Sequence, residues 1–149
     1  MSSNIVVKFK KTHEWAKLPE INNVCPDTGD SGCDLHAVDS VGIPAGGSAV
    51  VPVGLTLAYI TPGYWFRIEP RSGLGFKHSL QPHLGIIDNG YRGDMGVKLY
   101  NFSDKSFMVQ AGMRIAQIVI YKLYQPEIEW ADEVDETERG DKGFGSSGK

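Results

Sequence analysis

The chain has 149 residues, a length that suits one domain, and its 41% hydrophobic and 22% charged residues are ordinary for a soluble globular protein. Its formal net charge of −3 argues against broad binding to nucleic acid, so an anionic ligand would need a local cluster of donors. No apolar run approaches membrane-spanning length, and Cys25 and Cys33 lack metal-site spacing. These features predict a soluble protein with free thiols, cytoplasmic or otherwise intracellular (in a host cell, if viral), without a membrane partner.

Short β-rich segments punctuated by glycine and proline predict strands along the whole chain. The predicted strands are 5–9, 48–53, 55–60, 64–69, 107–109 and 114–123, together with a hairpin over 85–101. Residues 10–31 are predicted to be a long loop, either without strands or with one short strand, and 70–78 a loop or one helical turn. Because no window sustains helical periodicity for ten residues, the pattern indicates an all-β barrel or a double-sheet jelly roll.

The stretch 85–101 combines a turn signal with an unusual density of polar side chains. Two apolar runs flank Asn89-Gly90, a dipeptide that favours the positive φ values of a tight hairpin turn. Four polar side chains surround this turn: Asp88, Tyr91, Arg92 and Asp94. A purely structural hairpin does not need a carboxylate, a phenol and a guanidinium together, so the stretch is a candidate site. Asp88 could be a general base that activates water, or an ordinary turn residue.

Three other places have a functional and a structural interpretation. Arg71 and Ser72 precede Gly73 in a donor-rich segment suited to phosphate oxygens, although such loops also occur without a ligand. Gln117 lies in an apolar strand and needs hydrogen-bond partners, which either the protein or a ligand could supply. Asp34 could order metal-bound water, or cap a turn.

The composition changes after residue 130. Five of the seven residues from 132 to 138 are acidic, and four of the ten from 140 to 149 are glycine. Such a segment cannot bury enough apolar surface to order itself. We therefore predict a domain of residues 1–130 and a flexible arm of residues 131–149, which is either a plain disordered terminus or a lid over a phosphorylated ligand with a ring.

Five segments, taken in order, resemble the five motifs of the trimeric dUTPases (deoxyuridine triphosphate pyrophosphatases). They are GCDLHA (32–37), PRSGL (70–74), GIIDNGYRGD (85–94), GMRIAQ (112–117) and RG followed by GFGSSG (139–148). The resemblance covers most of the chain, and five motifs in the family order are far more specific than any one of them.

The resemblance implies a jelly-roll-like (β-clip) fold in a homotrimer, with each active site assembled from three subunits. It also implies hydrolysis of dUTP to dUMP and pyrophosphate, which limits uracil incorporation into DNA and supplies dUMP for thymidylate synthesis. Asp88 matches the residue that activates water for in-line attack on the α-phosphorus. Tyr91 matches the aromatic that packs under deoxyribose and leaves no room for a 2′-hydroxyl. The backbone expected to read the uracil edge is that of Gly85, Ile86 and Ile87, with Gly96 opposite.

The same resemblance implies the remaining contacts. The positions that match phosphate contacts are Arg71, Ser72, Gly73 and Gln117. The arm would place Phe144 over the uracil, and its phosphate contacts would be Arg139, Gly145, Ser146 and Ser147. Mg²⁺ in this family is held mainly by the triphosphate and water, so no direct protein ligand is expected and Asp34 would act through that water.

Two alternatives remain beside this interpretation. A dCTP deaminase or bifunctional deaminase of the same fold would need a different acid/base set around the pyrimidine, and the pair of Asp88 and Tyr91 argues against it. A non-enzymic, partner-binding relative would have lost Asp88 or the motif of the arm, and both are present.

Overall fold

The computed structural model of the chain describes residues 4–141 and 143, which form ten strands and one helix. The strands are β1 Val7–Lys11, β2 Gly32–His36, β3 Val41–Ile43, β4 Ser48–Ile60, β5 Tyr64–Glu69, β6 Leu80–Pro82, β7 Gly85–Ile87, β8 Asp94–Asn101, β9 Phe107–Val109 and β10 Arg114–Lys122. The helix is α1, Ser72–His78, which is longer than the single turn predicted over 70–78.

The strands form two four-stranded sheets and a third sheet of two strands. The first sheet has the order β1-β4-β8-β6, the second has the order β2-β10-β5-β7, and β3 pairs with β9. All these pairings are antiparallel. The all-β prediction is confirmed, and β5 and β9 have the predicted bounds.

One apolar core lies between the two larger sheets. In β8 the side chains of Met95, Val97 and Leu99 are buried, while the residues between them are exposed, as the two-residue period of a strand requires. The buried ring of Phe66 in the second sheet meets Phe9 of the first sheet edge-on, with 6.1 Å between ring centroids. The sheets are therefore held together by side chains that both contribute.

The predicted strands 48–53 and 55–60 are one continuous strand, β4, with a bulge at the glycine between them. Gly54 has a φ of +69°, and the register with β8 shifts between Pro52 and Thr56. A Cβ on Gly54 would lie 2.8 Å from the Cβ of His13 and 3.0 Å from that of Ala16. Glycine meets both the positive φ and the close approach, so the strand bends here instead of ending.

The turn at Asn89-Gly90 does not close a hairpin. β7 pairs with β5 in the second sheet, whereas β8 pairs with β4 and β6 in the first. The predicted hairpin over 85–101 is therefore wrong, because the chain crosses from one sheet to the other at this turn. The alternating pattern of each strand is correct, but such a pattern says which face is buried and not which strand is the neighbour.

Regular structure in the described part of the chain ends with β10, within one residue of the predicted end. Residues 123–141 are exposed throughout. The large apolar side chains among them are Leu123, Tyr124, Ile128, Trp130 and Val134. No helix among the described residues has the length and apolar character needed to cross a bilayer. The division into a domain of 1–130 and an arm of 131–149 stays a prediction.

Candidate active site

Three predicted phosphate-binding residues meet around two adjoining cavities. The cavities have volumes of about 450 and 350 Å³, and Arg71, Ser72 and Gln117 line both. Arg71 is the residue directly before α1 and Gln117 belongs to β10, so the helix start and this strand both contribute to the wall. Gly73 leaves open space, since a Cβ there would meet no atom of the described residues within 4 Å. Donors separated by more than forty residues of sequence are therefore brought to one place.

An ion pair with a buried carboxylate fixes the guanidinium of Arg71. Asp34 of β2 is only 4% exposed, and its Oδ1 accepts a hydrogen bond from Nε of Arg71 at 3.0 Å. Its Oδ2 accepts from the side-chain nitrogen of Asn22 at 2.7 Å, and Arg114 lies 3.8 Å from the same oxygen. Among the described residues, the hydrogen bonds of Arg71 engage only Nε, which leaves the two terminal nitrogens for a ligand. Asp34 is a strand residue, so the turn-cap interpretation is wrong.

The amide of Gln117 is held in a place that only a glycine neighbour allows. Its Nε2 donates to the carbonyl of Pro70 at 2.8 Å, directly before Arg71. A Cβ on Gly32, in the adjacent strand β2, would lie 1.9 Å from Oε1 of Gln117 and 2.6 Å from its Cδ. The first motif (32–37) therefore contributes the carboxylate of Asp34 and, through the missing side chain of Gly32, the space that the amide of Gln117 occupies.

A polar cluster stabilises the strand end from which Arg71 extends. Oη of Tyr121 donates to Oε2 of Glu69 at 2.6 Å, and Nε of Arg67 donates to the same oxygen at 2.9 Å. The hydrogen bond from Tyr121 is the main cause that lowers the pKa of Glu69, and Arg67 acts in the same direction. The same bond raises the pKa of Tyr121. Glu69 is the cross-strand partner of Gln117, so this cluster adjoins the cavities.

The second group of predicted residues lies at the turn between β7 and β8. The backbone N–H of Tyr91 donates to the carbonyl of Asp88 at 3.0 Å, which closes a four-residue turn. Neither Asn89 nor Gly90 has a positive φ. The prediction of a positive-φ Asn-Gly turn is therefore wrong, and the asparagine has another role.

That role is to anchor the turn to the connection that runs from the last residue of β4 to the first residue of β5. The side-chain nitrogen of Asn89 donates to the carbonyl oxygens of Tyr64 at 2.8 Å, Thr61 at 3.2 Å and Ile60 at 3.3 Å. The guanidinium of Arg92 adds two bonds to carbonyls of the turn itself, those of Asn89 at 2.7 Å and Tyr91 at 2.8 Å. The turn that presents Asp88 is thus fixed by side-chain donors on both sides.

We expect Asn89→Asp to destabilise the protein more than Asn89→Ala. Alanine removes the donors and leaves carbonyl oxygens without them, which should lower the free energy of unfolding by about 1–3 kcal/mol. Aspartate has nearly the same shape but would direct a carboxylate at three carbonyl oxygens, so its cost should be larger. Urea denaturation of both variants measures the difference. Gly90→Ala is the matched control, because a Cβ there would meet no atom within 4 Å in the part of the chain that the structure describes. Wild-type stability of Asn89→Asp would contradict the anchoring role.

The side chains at this turn are accessible to a ligand. Asp88 is exposed, and none of the side-chain hydrogen bonds found among the described residues involves its carboxylate. Tyr91 is 41% exposed, and its Oη donates to the carbonyl of Asp94 at 3.0 Å. In β7, Ile86 is 63% exposed while its neighbours Gly85 and Ile87 are half-buried. Gly96 lies in β8 opposite Pro52 of β4.

The two groups of residues are far apart within one chain. Gln117 lies opposite Glu69 on one side of β5, and Ile87 lies opposite Phe66 on the other side. Asp88, the residue after Ile87, is therefore displaced from Gln117 by two strand spacings and by four residues along the sheet. With about 3.3 Å per residue and about 4.8 Å per strand, the two backbones are roughly 16 Å apart.

The predicted contacts of the arm lie mostly beyond the described residues. Arg139 is exposed, and its guanidinium donates to the carbonyl of Gly143 at 2.7 Å. The remaining predicted arm contacts lie outside the described residues: Phe144, Gly145, Ser146 and Ser147.

Known proteins identify the family to which these motifs belong. A family model described as dUTPase matches residues 21–148, which is most of the chain. The chain belongs to the dUTPase family. Among named relatives, the deoxyuridine 5′-triphosphate nucleotidohydrolase of Arabidopsis thaliana is 43% identical over 141 residues, which cover 95% of this chain and 82% of that protein. The enzyme of the same name from Helicobacter pylori (strain P12) is 41% identical over 144 residues, covering 95% of this chain and 96% of that protein.

Solved structures of dUTPases share the fold. The dUTPase of Staphylococcus bacteriophage 80alpha with dUPNHPP has a TM-score of 0.84 and 28% identity, and the match covers 97% of this chain and 99% of that one. The dUTPase of phage phi11 of S. aureus, described with a structural Mg(II) ion, has a TM-score of 0.76 at 23% identity, covering 88% of this chain and 99% of that one. The predicted jelly-roll-like dUTPase fold is confirmed.

Sequence reasoning missed three residues that shape the site. Asn22 holds Asp34 from within a segment predicted only as a long loop, where no periodicity marks its contact. Gly32 makes room for Gln117, and its place at the start of the first motif was the available signal. Asn89 was noticed, but as a turn former and not as an anchor.

Proposed function

We propose that this chain hydrolyses dUTP to dUMP and pyrophosphate, the activity named for its relatives. The observation that carries the proposal is the cavity wall in which buried Asp34 holds Arg71 beside Ser72 and Gln117. A fixed guanidinium with free terminal nitrogens suits phosphate oxygens, and it allows an acidic chain to bind a triphosphate. The activity would limit uracil incorporation into DNA and supply dUMP for thymidylate synthesis.

In this proposal the turn between β7 and β8 activates the attacking water, and together with β7 and Gly96 it determines the selectivity for a deoxyuridine nucleotide. Asp88 takes a proton from the water that attacks the α-phosphorus in line, and pyrophosphate leaves with its electrons. Tyr91 packs under the deoxyribose and excludes a 2′-hydroxyl. The backbone of Gly85, Ile86 and Ile87, with Gly96, reads the uracil edge. The exposure of Asp88 and Tyr91 supports these roles, since both must reach a ligand.

Mg²⁺ is the proposed cofactor. No group of three or more histidine, cysteine, aspartate or glutamate residues in the described ranges 4–141 and 143 has the geometry of a metal site. The smaller of the two cavities, of about 350 Å³, is lined by the oxygen-bearing side chains of Asp30, Asp34 and Asn22. Such oxygen ligands suit a hydrated hard cation. Bound with the triphosphate, the ion would neutralise charge that develops on the phosphate oxygens. Asp34, already paired with Arg71, would act through water of the ion.

The separation of the two groups supports a site shared between subunits. A water activated by Asp88 must lie against the α-phosphate, while Arg71, Ser72, Gly73 and Gln117 contact phosphates of the same molecule. Within one chain the backbones of Asp88 and Gln117 are roughly 16 Å apart, and no described residue of the turn lines either cavity that Arg71 borders. We therefore propose that the catalytic turn of one chain faces the cavity of another, in a homotrimer.

The exposed segment after β10 supports the same assembly. Five large apolar side chains stand in water between residues 123 and 134, and the indole of Trp130 is fully exposed in the single chain at 101%. Surfaces of this kind mark contacts with another protein surface. The arm of 131–149, with Arg139 and Phe144, would then close over the active site of a neighbouring subunit.

The test is pyrophosphate release from dUTP, UTP, dTTP and dCTP under identical conditions, with ammonia release from dCTP measured in parallel. We expect efficient turnover of dUTP alone. UTP should be rejected because of its 2′-hydroxyl, dTTP because of its 5-methyl group, and dCTP because its base edge differs from that of uracil. Equal turnover of all four nucleotides would overturn the assignment, and ammonia from dCTP would identify a deaminase.

A further inference from the structure

We infer that Gly93 is a specificity-determining residue, because its lack of a side chain holds the ring of Tyr91 where it excludes ribonucleotides. The inference rests on the proposed function, in which Tyr91 packs under deoxyribose. The resemblance attributes the rejection of ribonucleotides to Tyr91 alone. The inference adds that this rejection also depends on Gly93, two residues further along the chain.

The geometry leaves no space for a methyl group at Gly93. A Cβ built there would lie 2.3 Å from Oη of Tyr91, 2.6 Å from its Cζ and 3.0 Å from its Cε1. The first two distances are far inside van der Waals contact, and the atoms belong to a rigid ring. Gly93 is not among the glycines with positive φ, so its backbone conformation by itself would accept alanine. The conflict is with the tyrosine ring.

Tyr91 is held by its backbone in the turn and by the hydroxyl at the tip of its ring. The backbone N–H of Tyr91 donates to Asp88 within the turn, and its Oη donates to the carbonyl of Asp94 at 3.0 Å. Between these two points the ring passes over Gly93, and 41% of the residue's surface remains exposed. That accessible part is what a sugar can contact. The position of the sugar-facing surface is therefore set by how closely the ring approaches the backbone at Gly93.

A methyl group at Gly93 must move the ring away from the backbone and weaken the bond to Asp94. A displaced ring no longer defines the space beside the 2′ carbon, so the barrier to a hydroxyl there is lost. Gly90 provides a matched comparison in the same turn, because a Cβ there would meet no atom of residues 4–141 and 143 within 4 Å. The same glycine-to-alanine change thus has opposite consequences at two nearby positions.

The experiment compares kcat/KM for dUTP with kcat/KM for UTP in wild type, Gly93→Ala and Gly90→Ala. We expect the dUTP preference to fall by about tenfold or more in Gly93→Ala, and to stay at the wild-type ratio in Gly90→Ala. Tyr91→Ala and the double variant Tyr91→Ala/Gly93→Ala complete a double-mutant cycle. Once the ring is absent, adding alanine at Gly93 should change neither the ratio nor the urea midpoint further.

Each outcome of this experiment supports or overturns the inference about Gly93. A folded Gly93→Ala with the wild-type preference overturns the inference, as does an equal further loss in the Tyr91→Ala background. If Gly93→Ala fails to fold, recovery of folding in the double variant supports the contact, and failure to recover refutes it. If wild type does not hydrolyse dUTP, the proposed function fails, and absence of coupling between the two positions in the urea midpoints then refutes the Gly93 inference separately.

Discussion

Asp88→Asn should lower kcat for dUTP by about 10²–10⁴ while leaving the fold intact. Asparagine has the size of aspartate but cannot take a proton from water, so only the proposed chemical step is removed. The turn itself should survive, because it is closed by the backbone carbonyl of Asp88 and anchored by Asn89. The carboxylate is exposed and makes none of the hydrogen bonds found among the described residues, so its loss breaks no internal contact.

The measurement is single-turnover pyrophosphate release, which separates the chemical step from product release. Asp104→Asn, an exposed aspartate in the segment between β8 and β9, controls for loss of one negative charge and should behave as wild type. Thermal unfolding of both variants should match wild type within a few degrees. Undiminished turnover by Asp88→Asn would remove Asp88 as the base, and a matching loss in Asp104→Asn would indicate a general electrostatic effect.

Much of the fold could be predicted because burial leaves a local signature. The strand 64–69 alternates in the sequence, and its bounds in the structure are the same. What the pattern cannot encode is the partner of a strand or the tertiary contact of a side chain. Asn-Gly has a strong local preference for a positive-φ hairpin turn, yet three distant carbonyls hold Asn89 and the turn connects two sheets. Tertiary hydrogen bonds here outweigh local propensity.

The residues of the site also divide into those that the sequence could identify and those that it could not. Arg71 and Gln117 were identifiable because polar donors in those settings need an explanation, and the structure places them together. The role of Asn22 could not be predicted, because it depends on an isolated bridge between Glu20 and Asp34 that brings a loop against β2. Likewise, the lack of space beside Gly32 exists only after β2 and β10 have paired. Residues that act through empty space or through another residue carry no chemical signature of their own.

Mixing two inactive variants should restore activity if the site is shared between chains. One parent is Asp88→Asn. The other is Asp34→Asn/Arg71→Ala, which removes both partners of the ion pair, because Arg71→Ala alone would leave the buried carboxylate of Asp34 without its nearest cation. Each parent alone lacks one half of every site. Each chain of a mixed trimer, however, still carries the half that the other has lost.

The size of the recovery follows from the proposed symmetry. In a closed ring of three, each site takes its turn from one chain and its cavity from the next, so every mixed trimer has one site with both halves intact. Random assembly of equal amounts makes about three quarters of the trimers mixed, so activity should return to about a quarter of the wild-type value. Co-expression of the two parents in equal amounts gives this random mixture, and pyrophosphate release from dUTP measures its activity. Mixed trimers selected through two different affinity tags should show about a third of the wild-type value instead.

The matched control uses a triple variant, Asp34→Asn/Arg71→Ala/Asp88→Asn. It replaces the Asp34→Asn/Arg71→Ala parent in the mixture. Its chains carry neither half, so mixing it with Asp88→Asn leaves no intact site under any arrangement. Mixed trimers of the first pair that stay at the level of this control would place Asp88 and Arg71 of the same chain in one site. That result would contradict the separation derived from the strand register, and a purely monomeric protein would contradict the homotrimer itself. Recovery near one quarter requires the division of the site between chains, and the mass of the active assembly in solution tests the number of chains separately.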